Sequence, residues 1–290
     1  MKYLALIILL CNPFSLKADA TQYRILHIKD NVYRFTADRH HSAFMVTDAG
    51  IFITDPISKD AASWLKQQLA SRFKVPVRYM AYSHNHIDHT AGGQAFAQDG
   101  VTVIAHQLAA DDLHMTKAPT ALPDVTFTDK LTVTLADSQV QLSYYGTNNG
   151  RGNVAMRFMP ANVLFVVDWI VVGRMPYKNL PGYDIQGMIQ STRALLAGPP
   201  FEIFVGGHAE IGKRADIEHY LSYLEALYAA VRDGMLEGKQ LEQLQHEIKL
   251  PAYSGLRMYD EWLPLNVEGV YKTLVDSSYF NFRPDLQTTF

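Results

Sequence analysis

Six consecutive positions, His84-Asn85-His86-Ile87-Asp88-His89, constrain this chain more than any other feature. They follow directly on an apolar run, residues 77–82, that reads as a buried strand. They lead into Thr90-Ala91-Gly92-Gly93, where glycine permits a tight loop. Three histidines and one aspartate in so short a stretch are hard to explain by packing, because histidine is only moderately buried in general. A loop that turns alternate side chains toward one point lets His84 and His86 bind one metal ion. Asp88 and His89 then bind a second, a few ångströms away. Zinc prefers this mixture of imidazole nitrogen and carboxylate oxygen.

Around this run the chain alternates short strands and helices. Runs at 23–28, 32–36, 43–47 and 51–54 are β-branched or aromatic and are separated by turn residues, with Asp48-Ala49-Gly50 as a hairpin turn. The spacing of Trp64, Leu65 and Leu69 predicts a helix over 61–73. Further strands are expected at 77–82, 101–105, 131–135, 140–144, 154–158, 163–167 and 203–205. Helices are expected at 106–114, 184–197, 214–233, 241–245 and 266–276. This order, repeated in two halves, suits a layered α/β fold with helices outside two sheets. No repeat, low-complexity tract or Pro/Ser-rich linker divides the chain.

With 290 residues, the chain is long enough to bury a large core without disulfide staples. Its formal net charge is −3, with both signs mixed along the sequence, so no basic face for nucleic acid is expected. Residues 1–20 differ from the rest. Lys2 precedes an apolar run to Cys11, and the segment ends Ala18-Asp19-Ala20, the layout of a secretory signal peptide cut after Ala20. The apolar run is too short to span a bilayer. We therefore expect a secreted or periplasmic protein, with no stable membrane insertion and one domain over 21–290. Cleavage leaves 24 basic and 28 acidic residues and removes Cys11, the only cysteine. Any transition-metal site must then use His, Asp, Glu or Asn.

The motif His84-x-His86-x-Asp88-His89 resembles the signature of the metallo-β-lactamase superfamily, and the likeness can be followed over most of the mature chain. That resemblance implies a four-layer αββα sandwich. It also implies roles for residues that composition alone does not mark. Asp55, ending the strand at 51–55, matches an aspartate that supports the metal loop. Asp168 matches a metal-bridging aspartate, and His208, in Gly206-Gly207-His208, matches the late histidine that completes the second site. One position departs from the pattern. In the segment Gly146-Thr147-Asn148-Asn149, Asn149 falls where the family has its middle histidine. An amide oxygen is a weaker donor to zinc than imidazole. The first site then has His84 and His86, with Asn149 as a weak metal or substrate contact. The second site keeps Asp88, Asp168, His89 and His208 and is expected to bind metal more tightly.

The resemblance implies a zinc-dependent hydrolase with one or two zinc ions per chain. Hydroxide held on zinc near pH 7 attacks a carbonyl carbon, and Asp88 orients the water or handles its proton. The substrate is expected to be a small molecule: a lactam, lactone, ester or thioester. Phosphodiesterase members make the bond an open question. True β-lactamases often carry a lysine three residues after the late ligand position, where this chain has Val171, with Arg174 and Lys178 nearby. The alternatives are a β-lactamase proper, an iron-dependent oxidoreductase and a metal-binding protein without catalysis. His40 and His41 line the pocket or lie on the surface. Tyr144, Tyr145, Trp169 and Tyr177 form an apolar wall or belong to the core. His106, His114, His219 and His246 are assigned no function. Oligomeric state is not legible in the sequence.

Overall fold

Strict alternation of side chains along the first strands separates two cores. The computed structural model describes residues 22–281. Chain order begins with β1 (Tyr23–Lys29), β2 (Val32–Ala37), β3 (His40–Thr47) and β4 (Gly50–Thr54). It continues through α1 (Lys59–Arg72), β5 (Val77–Ala81), α2 (Ile87–Thr90), α3 (Gln94–Ala97), β6 (Thr102–His106), α4 (Gln107–Met115) and β7 (Val125–Phe127). The second half holds β8 (Lys130–Leu135), β9 (Ser138–Tyr144), β10 (Val154–Met159), β11 (Val163–Val166), α5 (Ile185–Ala197), β12 (Ile203–Gly206), α6 (Arg214–Leu236), α7 (Leu241–Glu247) and α8 (Tyr259–Ser277).

The first seven strands form one sheet in sequential order, and the other five form a second sheet ordered β12-β11-β10-β9-β8. Both sheets are mixed, with β4, β5, β6 and β7 parallel to one another and β11 parallel to β12. On β4, Phe52 points inward to the core between the sheets, where Met45 and Ala81 of its own sheet meet Leu142, Met156, Phe158 and Phe165 of the other. Ile51 and Ile53 point outward and pack with Leu65 and Leu69 of α1. The outer face of the second sheet, with Leu164 and Val166, is covered by Met188 of α5, Leu224 of α6 and Val267 of α8. Helix, sheet, sheet and helix make the expected four-layer αββα sandwich, each layer hiding the apolar face of the next.

The proposed signal segment, 1–20, lies outside the described residues. No helix among the described residues is long and apolar enough to cross a membrane. Three local readings change. Helix α8 starts at Tyr259, about two turns before residue 266, and runs through Pro264 at its sixth position, where the proline leaves one i→i−4 hydrogen bond unmade. Strand β7 and the short helices α2 and α3 were not expected, each being too short for a periodic pattern. His40 and His41 stand within β3 rather than before it.

Candidate metal centre

The centre assembles where strand ends and loops of both sheets meet. Strand β5 leads into Tyr82-Ser83-His84, and α2 then carries Asp88 and His89 on its single turn. The backbone oxygen of His86 accepts from His89 N–H, Thr90 N–H and the Thr90 hydroxyl, which clamps this turn. The loop beyond is held just as tightly: a Cβ on Gly93 would strike the Tyr82 hydroxyl, so glycine is needed there. Asp55 lies beneath the loop, wholly buried. Its Oδ1 accepts from Ser83 N–H at 2.7 Å, and its Oδ2 lies 3.3 Å from His89 Nδ1. The resemblance implied a supporting role for Asp55; the structure places its carboxylate between the Ser83 amide and the His89 ring.

From the second sheet come two more groups. Asp168, just beyond β11, has φ +66°, a left-handed conformation that aspartate tolerates better than most residues. His208 follows β12. A Cβ on Gly207 would fall 2.6 Å from Val167 Cγ1, so glycine lets this loop pass close to the Asp168 loop. His41 N–H donates to Gly207 O at 2.8 Å, and His208 Nδ1 lies 3.1 Å from Arg39 O, tying the β2–β3 turn to the late histidine.

The two oxygens of Asp168 face two different sets of imidazoles. Oδ2 lies 3.2 Å from His84 Nε2 and 3.6 Å from His86 Nδ1. Oδ1 lies 3.2 Å from His208 Nε2 and 3.6 Å from His89 Nε2. Asp88 Oδ2 stands 3.4 Å from His208 Nε2, 3.6 Å from His89 Nε2 and 3.4 Å from His40 Nε2. All six residues singled out in the sequence as metal ligands therefore converge. His40, treated there only as a pocket or surface residue, stands with Asp88 and His208 as closely as any of them. Two adjacent histidines on a strand face opposite sides; His41 turns away from Asp88, toward Thr36 Oγ1 at 3.0 Å.

A cation fits this cluster on chemical grounds. His89 Nδ1 sits beside the Asp55 carboxylate and His208 Nδ1 beside a carbonyl, neighbours that favour a proton on each Nδ1. The lone pairs of both Nε2 atoms then face one another at 3.0 Å, which is repulsive unless a proton or a metal ion lies between them. His84 Nε2 and Asp168 Oδ1 are likewise buried without hydrogen-bond partners. Buried polar atoms rarely stay unpaired. The charges are arranged to match. Burial opposes ionisation of Asp168, but the His89 charge and the close approach of the His84, His86 and His89 imidazoles hold its pKa well below the ordinary value. Burial also opposes charge on His89, and Asp168 and Asp55 outweigh it to hold that pKa high. Asp88 is lowered too, despite burial, by His208 and His40. His84 is lowered by burial and is neutral.

The cluster grades from closed to open. The side chains of His84 and His89 are fully buried, whereas Asp88 is 42% exposed at the mouth. It opens into a cavity of about 520 Å³, walled by Asn149, Tyr177, Pro181, Tyr183 and Trp262, with Arg39, Arg174 and Lys178 as its cations. Asn149 is buried in this wall, and neither its Oδ1 nor its Nδ2 has a partner. Its backbone bridges to Tyr183, and Asn153 Nδ2 donates to both Asn149 O and Val167 O, stitching the Asn149 loop to the Asp168 loop. Trp169 belongs to the core, while Tyr177 lines the cavity. His106 is structural: its Nδ1 accepts from Leu108 N–H at the start of α4.

The sequence family described as the metallo-beta-lactamase superfamily matches residues 39–208. The chain belongs to that superfamily. Among curated proteins it is similar to the alpha subunit of 2,4-dinitroanisole O-demethylase from Nocardioides sp. (strain JS1661), at 27% identity over 264 residues, or 87% of this chain and 78% of that one. Among solved structures it resembles a metallo-beta-lactamase from Pontibacter korlensis, with a TM-score of 0.64 and 22% identity over 70% of this chain and 99% of that one. It also resembles a double mutant of the sec-alkyl sulfatase PisA1, with a TM-score of 0.73 and 16% identity over 92% of this chain but only 52% of that one. These structural likenesses establish the fold alone.

Proposed function

We propose that the protein is a zinc-dependent hydrolase of a small-molecule substrate. One observation carries the reading: Asp168 presents one oxygen to His84 and His86 and the other to His89 and His208, so it would help to hold a cation beside either pair. His84 and His86 would hold the first ion, and Asp88, His89 and His208 the second, with His40 beside it. Zinc there supplies Lewis acidity and brings the pKa of a held water toward neutrality.

The chain's own groups do the rest. Asp88 is kept ionised by its histidine neighbours and stands at the open side, so it accepts a hydrogen bond from an incoming water and fixes its direction. A carboxylate held so acidic is a poor store for a proton, which favours orientation over general-base work. Asn149 lines the cavity with its amide buried and unpartnered, a spare donor for a carbonyl oxygen as negative charge develops on it. Tyr177, Pro181 and Trp262 offer an apolar wall for the body of the substrate.

The testing experiment is a hydrolysis screen over lactams, lactones, esters, thioesters and phosphodiesters, run against a metal titration. The likeness to the dinitroanisole O-demethylase subunit adds aryl methyl ethers to the set. One to two zinc ions per chain and hydrolysis of one class are expected. Asp88→Ala should slow it by at least about 100-fold, the scale on which a preorganised charged group acts in catalysis. Iron in place of zinc, together with oxygen consumption, would make the protein an oxidoreductase instead. An unchanged rate in Asp88→Ala removes Asp88 from the mechanism.

Asn149→His tests the inequality of the two positions. The buried, unpartnered amide gives way to an imidazole, a better zinc donor. At limiting zinc, first-site affinity should rise by roughly tenfold or more, the scale on which groups around a metal tune it. Equal occupancy in both proteins would mean that Asn149 does not face the first site.

A further inference from the structure

A second cavity of about 510 Å³ shares His208, Arg39, Arg174 and Trp262 with the first and extends away from it under the β1–β2 hairpin. Its walls carry five arginines, Arg24, Arg34, Arg39, Arg174 and Arg257, against two carboxylates, Asp38 and Glu210. Neither carboxylate neutralises the group. Asp38 Oδ1 is taken by the Gln22 N–H, and Glu210 pairs with Arg257 at 3.5 Å on the exposed rim. Among the described residues, none of the other four arginines has an ion-pair partner.

Arg34 is the decisive residue. It stands on β2 between Tyr33 and Phe35, is 5% exposed, and has neither an ion pair nor a hydrogen bond on Nε or Nη1. Burying an unpaired guanidinium is costly, and natural structures normally supply a partner. Arg174 repeats the pattern: its Nε is buried without a partner, and its guanidinium carbon lies 5.4 Å above the Trp262 ring. The Arg174 segment is fixed against the start of α8 by Met175 N–H to Arg257 O at 3.1 Å and Arg257 N–H to Gly173 O at 3.2 Å. Two rigidly seated, unpaired guanidiniums in one cavity form a receptor for a planar or tetrahedral oxyanion, which the arginine fork binds through paired N–H donors. Local electrostatics agree: burial, then the charge of Arg24, push the Arg34 pKa below its ordinary value, a stress that a bound anion relieves.

We propose that this cavity is an oxyanion-binding site, in which Arg34 and Arg174 receive a carboxylate, sulfonate, sulfate or phosphate group. The group is either a free inorganic anion or the anionic end of a substrate whose reacting part crosses His208 to the metal centre. Only the second source rests on the hydrolase reading.

The test uses the full chain, freed of metal by a chelator so that anions have no metal to bind. Inorganic sulfate and inorganic phosphate are titrated in by calorimetry at low ionic strength. Saturable binding is expected. Arg34→Gln and Arg174→Gln should each weaken it at least tenfold, while His84→Ala, in the metal cluster, should leave it within twofold. If Arg34→Gln does not fold, Arg174→Gln and Arg174→Lys decide; loss in both points to the fork geometry rather than charge alone. Absence of saturable binding at millimolar anion, or undiminished binding in the folded arginine variants, overturns the proposal. With a substrate from the hydrolysis screen, Arg34→Gln should raise KM for an anionic substrate and not for its neutral analogue if the anion belongs to the substrate. A free-anion site instead shows sulfate altering turnover without competing with substrate. A screen with no hit counts against the hydrolase reading, and the calorimetry still decides the anion site.

Discussion

Asp168→Asn is expected to abolish metal binding at both positions while the fold survives. The side chain keeps its size, and asparagine is among the few residues that adopt the left-handed backbone found here, at φ +66°. What disappears is the charge that faces four histidines through two oxygens. Changing a group that merely orients a ligand typically costs about 10–100-fold in metal affinity, and loss of a shared carboxylate should cost more. Stability gives an independent readout. A metal present at about 1,000 times its Kd stabilises the folded state by about 4 kcal/mol. For a chain of this length that is roughly 10 °C in Tm. Adding chelator should therefore lower the Tm of the parent by about that amount and leave the variant unmoved. Parental zinc content in Asp168→Asn would show that the carboxylate is not a ligand.

How much of this was legible beforehand depended on whether the signal was local. The run from His84 to His89 lies within one strand end and one helical turn, so residue types alone gave its chemistry. The strands were legible for the same reason: β4 alternates Phe52 with Ile51 and Ile53 to opposite cores. Asp55, Asp168 and His208 are scattered, single polar residues at strand ends, and only the family pattern linked them. His40 was not legible as a partner of Asp88, because the docking of the β2–β3 turn on Gly207 and His208 is a contact across more than 160 positions. Arg34 was invisible for a related reason. A cation between Tyr33 and Phe35 reads as the solvent-facing step of an alternating strand, yet that face is covered by segments from the other half of the chain, including Arg174 and Arg257. The start of α8 was misplaced because Pro264 reads as a barrier in sequence, while the helix runs through it, with Leu263 and Val267 on either side of it buried in the core.

Trp169→Ala is expected to produce the largest loss of stability and to weaken metal binding from behind. Trp169 is wholly buried in the core between the second sheet and its helices, with Tyr145 edge-on at 6.3 Å. Truncating a buried tryptophan costs about 3–5 kcal/mol, since the surroundings only partly close the cavity. For a chain of this size the Tm should fall by roughly 10 °C. The position makes the second effect specific. Trp169 directly follows Asp168, and its backbone N–H donates to Val167 O at 2.8 Å, closing the turn that aims the carboxylate and leaving the buried ring to seat that turn on the core. The same Val167 O accepts from Asn153, which anchors the Asn149 loop. The ring acts on the metal centre only through packing: without it, the turn at Val167–Asp168 loses its seat on the core while its backbone hydrogen bonds remain. Zinc affinity should drop about 10–100-fold, as when an orienting partner is lost. Trp169→Phe separates the two roles, because it keeps most of the buried ring and should recover most of both losses. Full zinc affinity in a Trp169→Ala protein that is destabilised as expected would mean that the Asp168 turn holds its shape without the core behind it.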